Sequence, residues 1–523
     1  MNGYVIGLDI GTQSTKALLC GASGRIMAQH RVEYQPDTPH PSWAQQDARV
    51  WLRAVRACLR ACVEQAAACV PDFEPTLIRG ICISSLYGGA GIPVDAQMQP
   101  LHPCLIWMDR RAEPQVQWVR QHVDQVRLRQ ITGNHVDSYY GFTKILWIRD
   151  NLPEIWSRIR HFLPPNAWVI HELTGALAVD HSSAGNIGGV YDLAARGWSA
   201  EMMERLGIPA TMMPQRLVQS TDVVGGLRAD VAAELGLAPG TAVLAGGVDA
   251  AVASFVAGAS RPGRHVAMLG TSMCWGYVTP QVDVNSGLVS MPHVFNGARD
   301  AYVFGGAITA GAAENWFRDQ FCAEEAHQAR AGGRDVHALL EEAAAGVAAG
   351  CNGLVFLPYL MGERSPIWDG KASGGLIGLN LFHTRAHCYR AVLEGVAYAL
   401  RHNIELGQTE GLDSELVVVG GAAQSDLWVQ IIADVTGRRV FTIEQNVEAA
   451  MGAALLAAIG IGWIGAEDAR KGWITLTLRS EPRQAQQQVY DRLFGVYVGL
   501  YPALKSSMHT LRQACATDVP SPP

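Results

Sequence analysis

The sequence predicts an α/β protein built as two similar halves. Three observations predict this. Buried-strand and helical patterns alternate along the chain, the alternation restarts near residue 240, and 523 residues are too many for one ordinary domain. Hydrophobic residues make up 49% and charged residues 17%. That is enough apolar material for large cores, and it rules out a disordered chain. Lys+Arg total 41 against Asp+Glu 48, a net charge of -7. With no Lys/Arg runs, this balance argues against a nucleic-acid binder.

The elements follow in order. Tyr4-Val5-Ile6-Gly7-Leu8 is a short β-type run that ends at Asp9. The polar turn Gly11-Thr12-Gln13-Ser14-Thr15-Lys16 comes next, then the apolar run 17–19, which predicts a hairpin. Residues 51–68 place Ala, Leu and Val at helical spacing, and residues 79–84 and 101–107 return to a buried-strand pattern. The pattern restarts with a strand at 242–245 and a helix at 249–257. The strand 265–269 again delivers a polar turn, Gly270-Thr271-Ser272. Two segments thus share one device, an apolar strand ending in a Gly-Thr turn. The halves are read as 1–255 and 256–523. A third strand, 416–419, meets Gly420-Gly421-Ala422, and 425–433 reads as helix. Residues 490–511 read as a closing helix with a kink or break at Pro502, and the tail 519–523 as frayed.

The 11 Cys form no paired framework. Cys58 and Cys62 stand at i,i+4 in an Ala-rich helical segment and read as buried free thiols. There is no CxxC and no His/Cys cluster for zinc. The chain enters directly into its first strand, without a basic, cleavable leader. The apolar stretch 243–259 contains Asp249 and several Gly, so it reads as strand, turn and helix and not as a membrane span. The expectation is a cytoplasmic protein with no membrane partner.

Phosphoryl transfer needs backbone donors and hydroxyls around phosphates, a carboxylate near Mg2+, and a base for the accepting hydroxyl. Gly11, Thr12, Gln13 and Ser14 offer the first set, beside Asp9. Gly270, Thr271 and Ser272 offer a second, and Gly420, Gly421 and Ala422 a third. A Gly turn at the C-terminal end of a strand suits a nucleotide because backbone approaches the ligand closely there. Asp249 opens an Ala-rich helix, where it is either an N-terminal cap or a base that the helix dipole holds ionised.

These residues resemble the FGGY family of carbohydrate kinases, most closely its xylulokinase-like branch. The resemblance rests on the turn 9–16, Trp107-Met108-Asp109-Arg110-Arg111, Gly246-Gly247-Val248-Asp249 and Leu269-Gly270-Thr271-Ser272. It continues through 356–366, which holds Glu363-Arg364-Ser365-Pro366, and closes on 420–428. It implies two ribonuclease-H-like (actin-like ATPase) domains with a catalytic cleft between them. It implies an ATP-dependent sugar kinase in which Asp249 is the general base, Asp9 lies by Mg2+ and the phosphates, and Thr12, Thr271, Gly311, Asn315, Gly421 and Ser425 lie along the ATP site. Lys16 matches a Lys or Arg of the family, with a solvated charge as its other reading.

On the sugar side, Trp107 matches a residue that stacks on substrate. Asp109 is either a substrate contact or half of a structural ion pair with Arg111. Tyr139 matches a Tyr that reaches the polyol, with a core Tyr as the alternative. After the strand 80–83, xylulokinases carry Gln-Met-His-Gly and glycerol kinases Arg-Glu, whereas this chain has Ser85-Leu86-Tyr87-Gly88-Gly89. Leu86, Tyr87 and Gly88 thus become candidate sugar contacts, with Tyr87 offering a ring face and Gly88 open space. D-xylulose is the leading acceptor. Ribulose, erythritol or a glycerol-like polyol are alternatives, and so is a non-catalytic actin-like nucleotide switch. The implied partners are the sugar and Mg-ATP, and a homodimer stays open.

Overall fold

The computed structural model describes residues 3–407, 411–444, 448–465 and 472–516. The first sheet is built on β1 (Tyr4–Ile10), β2 (Ser14–Gly21), β3 (Ile26–Glu33), β4 (Ile78–Ser85) and β5 (Ala242–Leu244). Strands β3, β2 and β1 form an antiparallel meander; β4 lies parallel to β1, and β5 parallel to β4. The second sheet is built on β6 (His265–Leu269), β7 (Met273–Thr279), β8 (Ala301–Gly305), β9 (Glu415–Val419) and β10 (Arg439–Ile443). Strands β8, β7 and β6 are again an antiparallel meander; β9 lies parallel to β6, and β10 parallel to β9. Each half therefore repeats the order 3-2-1-4-5, the ribonuclease-H-like order. Only edge strands differ: Val223–Gly226 on the first sheet, Val289–Pro292 and Leu476–Ser480 on the second. The duplication is plain in topology although the residues barely show it.

Helix Ala48–Cys69 covers one face of the first meander. It buries Trp51, Val55, Cys58, Leu59 and Cys62, which recur at helical spacing. The Cys58 and Cys62 thiols donate to the Thr15 and Ala17 carbonyls at 3.4 and 3.8 Å, so both are buried, unpaired thiols.

Helix Ala449–Gly460 departs from a simple two-part division of the chain. It follows the second sheet in sequence, yet packs on β1, β4 and helix Asp249–Ala257 of the first half. Ten of its residues, from Ala449 to Ala458, are buried. Small side chains allow this. A Cβ on Gly7 would lie 2.0 Å from the Ala450 carbonyl and 2.3 Å from the Ala454 nitrogen.

Two sequence expectations are corrected here. Residues 101–107 hold only the two-residue strand Cys104–Leu105, paired with Gln45–Gln46. Pro103, lacking an N–H, interrupts any longer ladder. The closing helix, Gln484–Ala516, continues through Pro502 without a break. The tail 519–523 lies outside the described residues. Among the described residues no helix is long and apolar enough to cross a membrane.

Gly7→Ala should destabilise the protein by about 1–3 kcal/mol, because an added methyl there meets backbone that cannot rotate away. Urea unfolding followed by tryptophan fluorescence measures this. An unchanged midpoint would mean that helix Ala449–Gly460 is not seated on β1.

Candidate active site

The C-terminal ends of β1, β4 and β5 converge. Asp9 sits near the end of β1, opposite Lys16 in the hairpin register and Ser84 on β4. Its Oδ1 accepts from the Ser84 hydroxyl at 2.9 Å. The segment after β5 runs beside the end of β4, where the Ser85 N–H donates to the Gly247 carbonyl at 3.0 Å. That segment delivers Asp249 to the first position of helix Asp249–Ala257, and Asp249 Oδ1 accepts from the Ala250 N–H at 2.6 Å.

The two carboxyls, each partly buried, stand close enough for the Asp249 charge to be felt at Asp9. Burial and the neighbouring Asp249 charge push Asp9 up to about 8, with Glu448 adding and Ser84 and Lys16 opposing. Burial pushes Asp249 up to about 6 against the Ala250 hydrogen bond. The raised proton affinity belongs to the pair. Desolvation thus works against the first N–H of the helix, which favours the ionised form of Asp249. Lys16 is ion-paired with Glu448, 432 residues away, so it is neither solvated nor free.

The first Gly-Thr turn lies beside this pair. The Gly11 N–H donates to the Ser14 carbonyl at 2.9 Å, and the Gly11 carbonyl accepts from the Tyr34 hydroxyl at 2.9 Å. The Thr12 hydroxyl accepts from Trp107 Nε1 at 3.0 Å, which ties the first Gly-Thr turn to Trp107 and its neighbours. Gln13 is exposed at the tip of the turn.

The second half supplies a cavity of about 520 Å3. Gly270, Thr271, Gly311, Asn315, Gly421, Ala422 and Ser425 all line it. Its walls come from the β6–β7 turn, helix Gly311–Phe321 and helix Asp426–Thr436. The Gly270 carbonyl accepts from the Gly311 N–H at 2.9 Å, seating the helix on the turn. Gly420, at φ 96°, passes so close to β6 that a Cβ would lie 2.4 Å from the Leu269 carbonyl. The Ser425 hydroxyl caps its helix by accepting from the Trp428 N–H at 3.0 Å. Ser272 and Gly420 flank the cavity without lining it.

The sugar side matches expectation less closely. Asp109 is fully buried and accepts from the Ala44 N–H at 2.7 Å, the Arg111 N–H at 3.0 Å and Arg111 Nε at 2.8 Å. Both its oxygens are thus engaged within the chain, so its expected substrate contact is corrected in favour of the structural ion pair. Leu86 and Tyr87 are 2% and 4% exposed and pack in apolar cores. Tyr87 therefore presents no open ring face, and its buried hydroxyl has no partner. Gly88, at φ 93°, leaves no open space either. A Cβ there would lie 2.9 Å from the Tyr139 ring and 3.0 Å from Trp107 Cβ. Gly88, Trp107 and Tyr139 form one wall, and the Tyr139 hydroxyl reaches Asn186 Oδ1 at 3.5 Å.

Sequence reasoning missed Asn186, Glu448 and the placement of Arg364. Asn186 is fully buried and its Nδ2 is unpartnered. Nothing local in a six-residue helix announces it. Arg364 was visible in the Glu-Arg-x-Pro motif. Its charge acts on Tyr139 and Cys274, it makes no ion pair among the described residues, and its Nε is buried without a partner.

Comparison with known proteins agrees with this geometry. Models of the N-terminal and C-terminal domains of the FGGY family of carbohydrate kinases match residues 4–256 and 265–461. The chain is 31% identical to a xylulose kinase of Bacillus subtilis over 509 residues, covering 96% of this chain and 97% of that one. It is 29% identical to a gluconokinase of Bacillus licheniformis over 512 residues, 97% of each. It superposes on the crystal structure of a xylulose kinase from Rhodospirillum rubrum with a TM-score of 0.87 and 31% identity, covering 97% of this chain and 100% of that one. With one lobe presenting paired carboxylates, the other a nucleotide-sized cavity, and both halves matched, the chain belongs to the FGGY family of carbohydrate kinases, enzymes that move phosphate from ATP to a sugar.

Proposed function

We propose that the acceptor is a small ketose, D-xylulose first, and that Asp249 takes the proton of the attacking hydroxyl. The observation that carries this is the position of Asp249, at the convergence of three strand ends with its carboxyl raised toward neutrality by burial. A base poised in that range accepts a proton and returns it efficiently. Support for the ketose comes from the xylulose kinases above and from the absence of an Arg-Glu pair at Tyr87-Gly88, the residues with which glycerol kinases clamp glycerol.

Asp9 and the turn at Gly11, Thr12 and Ser14 would face the transferring phosphate from the first lobe. Gly270, Thr271, Ser272 and Gly421 would cradle the nucleotide from the second. Mg2+ fits as the companion of ATP. Among the described residues no three acidic, His or Cys side chains cluster into a cage. The ion would therefore be held by phosphate oxygens, water and Asp9, and would supply neutralising charge. Residues 1–255 would serve the sugar and phosphates and 256–523 the adenine nucleotide, with helix Ala449–Gly460 docked back on the first sheet.

A second reading has its own observation. Among the described residues Arg364 has no carboxylate ion-pair partner, and its charge is felt at Tyr139. An aldonic acid such as gluconate would bring a carboxylate to it.

An ADP-release assay across D-xylulose, D-ribulose, erythritol, glycerol and gluconate tests the acceptor. D-xylulose should give the highest kcat/KM and glycerol a low one. Gluconate in first place would transfer the protein to the second reading, and glycerol equal to every ketose would remove the first.

Asp249→Asn should lower kcat by ~10²–10⁴ while leaving the KM for ATP nearly unchanged, since the phosphate turns are untouched. Near-normal turnover would reduce Asp249 to a helix cap.

The pair also predicts a stability signature. Both carboxyls bind protons more tightly folded than unfolded, so their contribution to stability is full below the ordinary carboxylate range and is lost as pH rises through the folded values. Without ligands, Asp9→Asn should match wild type at about pH 4 and become progressively more stable than it up to about pH 9. Urea unfolding of the two proteins side by side measures the difference, and a gap that narrows as pH rises would contradict the raised pair.

A further inference from the structure

Lys144 stands in the first turn of helix Gly141–Asn151 and is fully buried. Its ammonium donates three hydrogen bonds, all to backbone carbonyls: Gly88 at 2.8 Å, Ser138 at 2.7 Å and Tyr139 at 2.6 Å. Among the described residues no carboxylate bonds it.

This arrangement is costly in several ways. A cation in the first turn opposes the helix dipole. A buried ammonium loses its hydration, and burial pulls Lys144 down to about 7, with the Arg110 charge adding to the pull. A methionine of similar length would fill the volume without either cost. What only a donor-rich cation can do here is hold three carbonyls pointed at one spot, where their dipoles would otherwise repel one another.

Two of those carbonyls belong to the wall of the sugar side. Gly88 and Tyr139 are in such close contact that a Cβ on Gly88 would meet the Tyr139 ring at 2.9 Å. Trp107 closes against the same glycine, and the Tyr139 hydroxyl reaches Asn186. The ammonium joins the loop after β4 to the loop before helix Gly141–Asn151 from behind. None of these residues lines the 520 Å3 nucleotide cavity.

We propose that Lys144 is a positioning residue for the acceptor: through the Gly88 and Tyr139 carbonyls it sets the Trp107–Tyr139 wall against which the sugar lies. This rests on reading the cleft as a carbohydrate-kinase site. It places the charge in the service of sugar binding and not of general stability.

The test is Lys144→Met in the full chain, with sugar and ATP varied separately and the best acceptor of the panel as substrate. The KM for sugar should rise at least about tenfold, the KM for ATP should stay within about twofold, and a cooperative thermal transition should persist. Lys144→Gln keeps two donors and should recover part of the loss, and it carries the test should the Met variant not fold. Gly88→Ala pushes on Tyr139 from the other side and should raise the same constant. The double variant Lys144→Met with Gly88→Ala should fall short of the product of the single effects. An unchanged sugar KM in both Lys144 variants, or equal rises for sugar and ATP, overturns the positioning role while leaving the kinase reading intact. A wild-type chain that phosphorylates nothing in the panel overturns both.

Discussion

Two carboxylates held close together at the ends of buried strands are the constraint on which the rest of this structure depends. Asp9 and Asp249 lie 240 positions apart in sequence, yet each raises the cost of ionising the site in which both stand. Such a pair is unfavourable in an empty cleft and becomes favourable when positive charge arrives. The scaffold is arranged to bear it. Asp9 has Ser84 as a donor and Lys16 nearby, and Asp249 has the Ala250 N–H of its own helix. Lys16 is itself engaged by Glu448. The site is therefore short of positive charge, and a cation entering with the nucleotide, as proposed above, would relieve it.

The backbone devices were legible because they are local. An apolar run that ends in Gly-Thr announces a strand and a turn whatever surrounds it, and both hairpins stand where the pattern placed them. The three Gly turns and Asp249 could be located for the same reason. What was not legible depends on approach between distant segments. Nothing near Lys16 names Glu448, and nothing in the Ala-rich run at 449–460 says that it returns to the first sheet.

Side-chain direction was the other blind spot. Leu86, Tyr87 and Gly88 are sugar-contact candidates from sequence because they stand where related kinases carry their sugar-binding motifs. The fold turns Leu86 and Tyr87 into the interior and fills the space over Gly88 with Tyr139 and Trp107. A departure from a familiar motif shows that a site is different. It does not show which neighbour has taken the place, because Trp107 and Tyr139 lie 19 and 51 residues beyond Gly88.

The two halves share a strand order but not a role, and one position explains much of the difference. In the first half the strand delivers Asp9-Ile10-Gly11-Thr12; in the second it delivers Met268-Leu269-Gly270-Thr271. The turn is kept and the acid is replaced by an apolar side chain. A carboxylate at both strand ends would add to the repulsion that a polyphosphate meets, so replacing one of them lowers that cost. With Met268 in place of an acid, the strand end of the second lobe is uncharged at that position, while Glu314, Asp335 and Glu341 stand elsewhere in the cavity lining. The first lobe keeps the acid at its strand end, within reach of the Asp249 charge. A duplicated fold thus becomes asymmetric, and the proposed division of nucleotide holding from proton transfer follows that asymmetry.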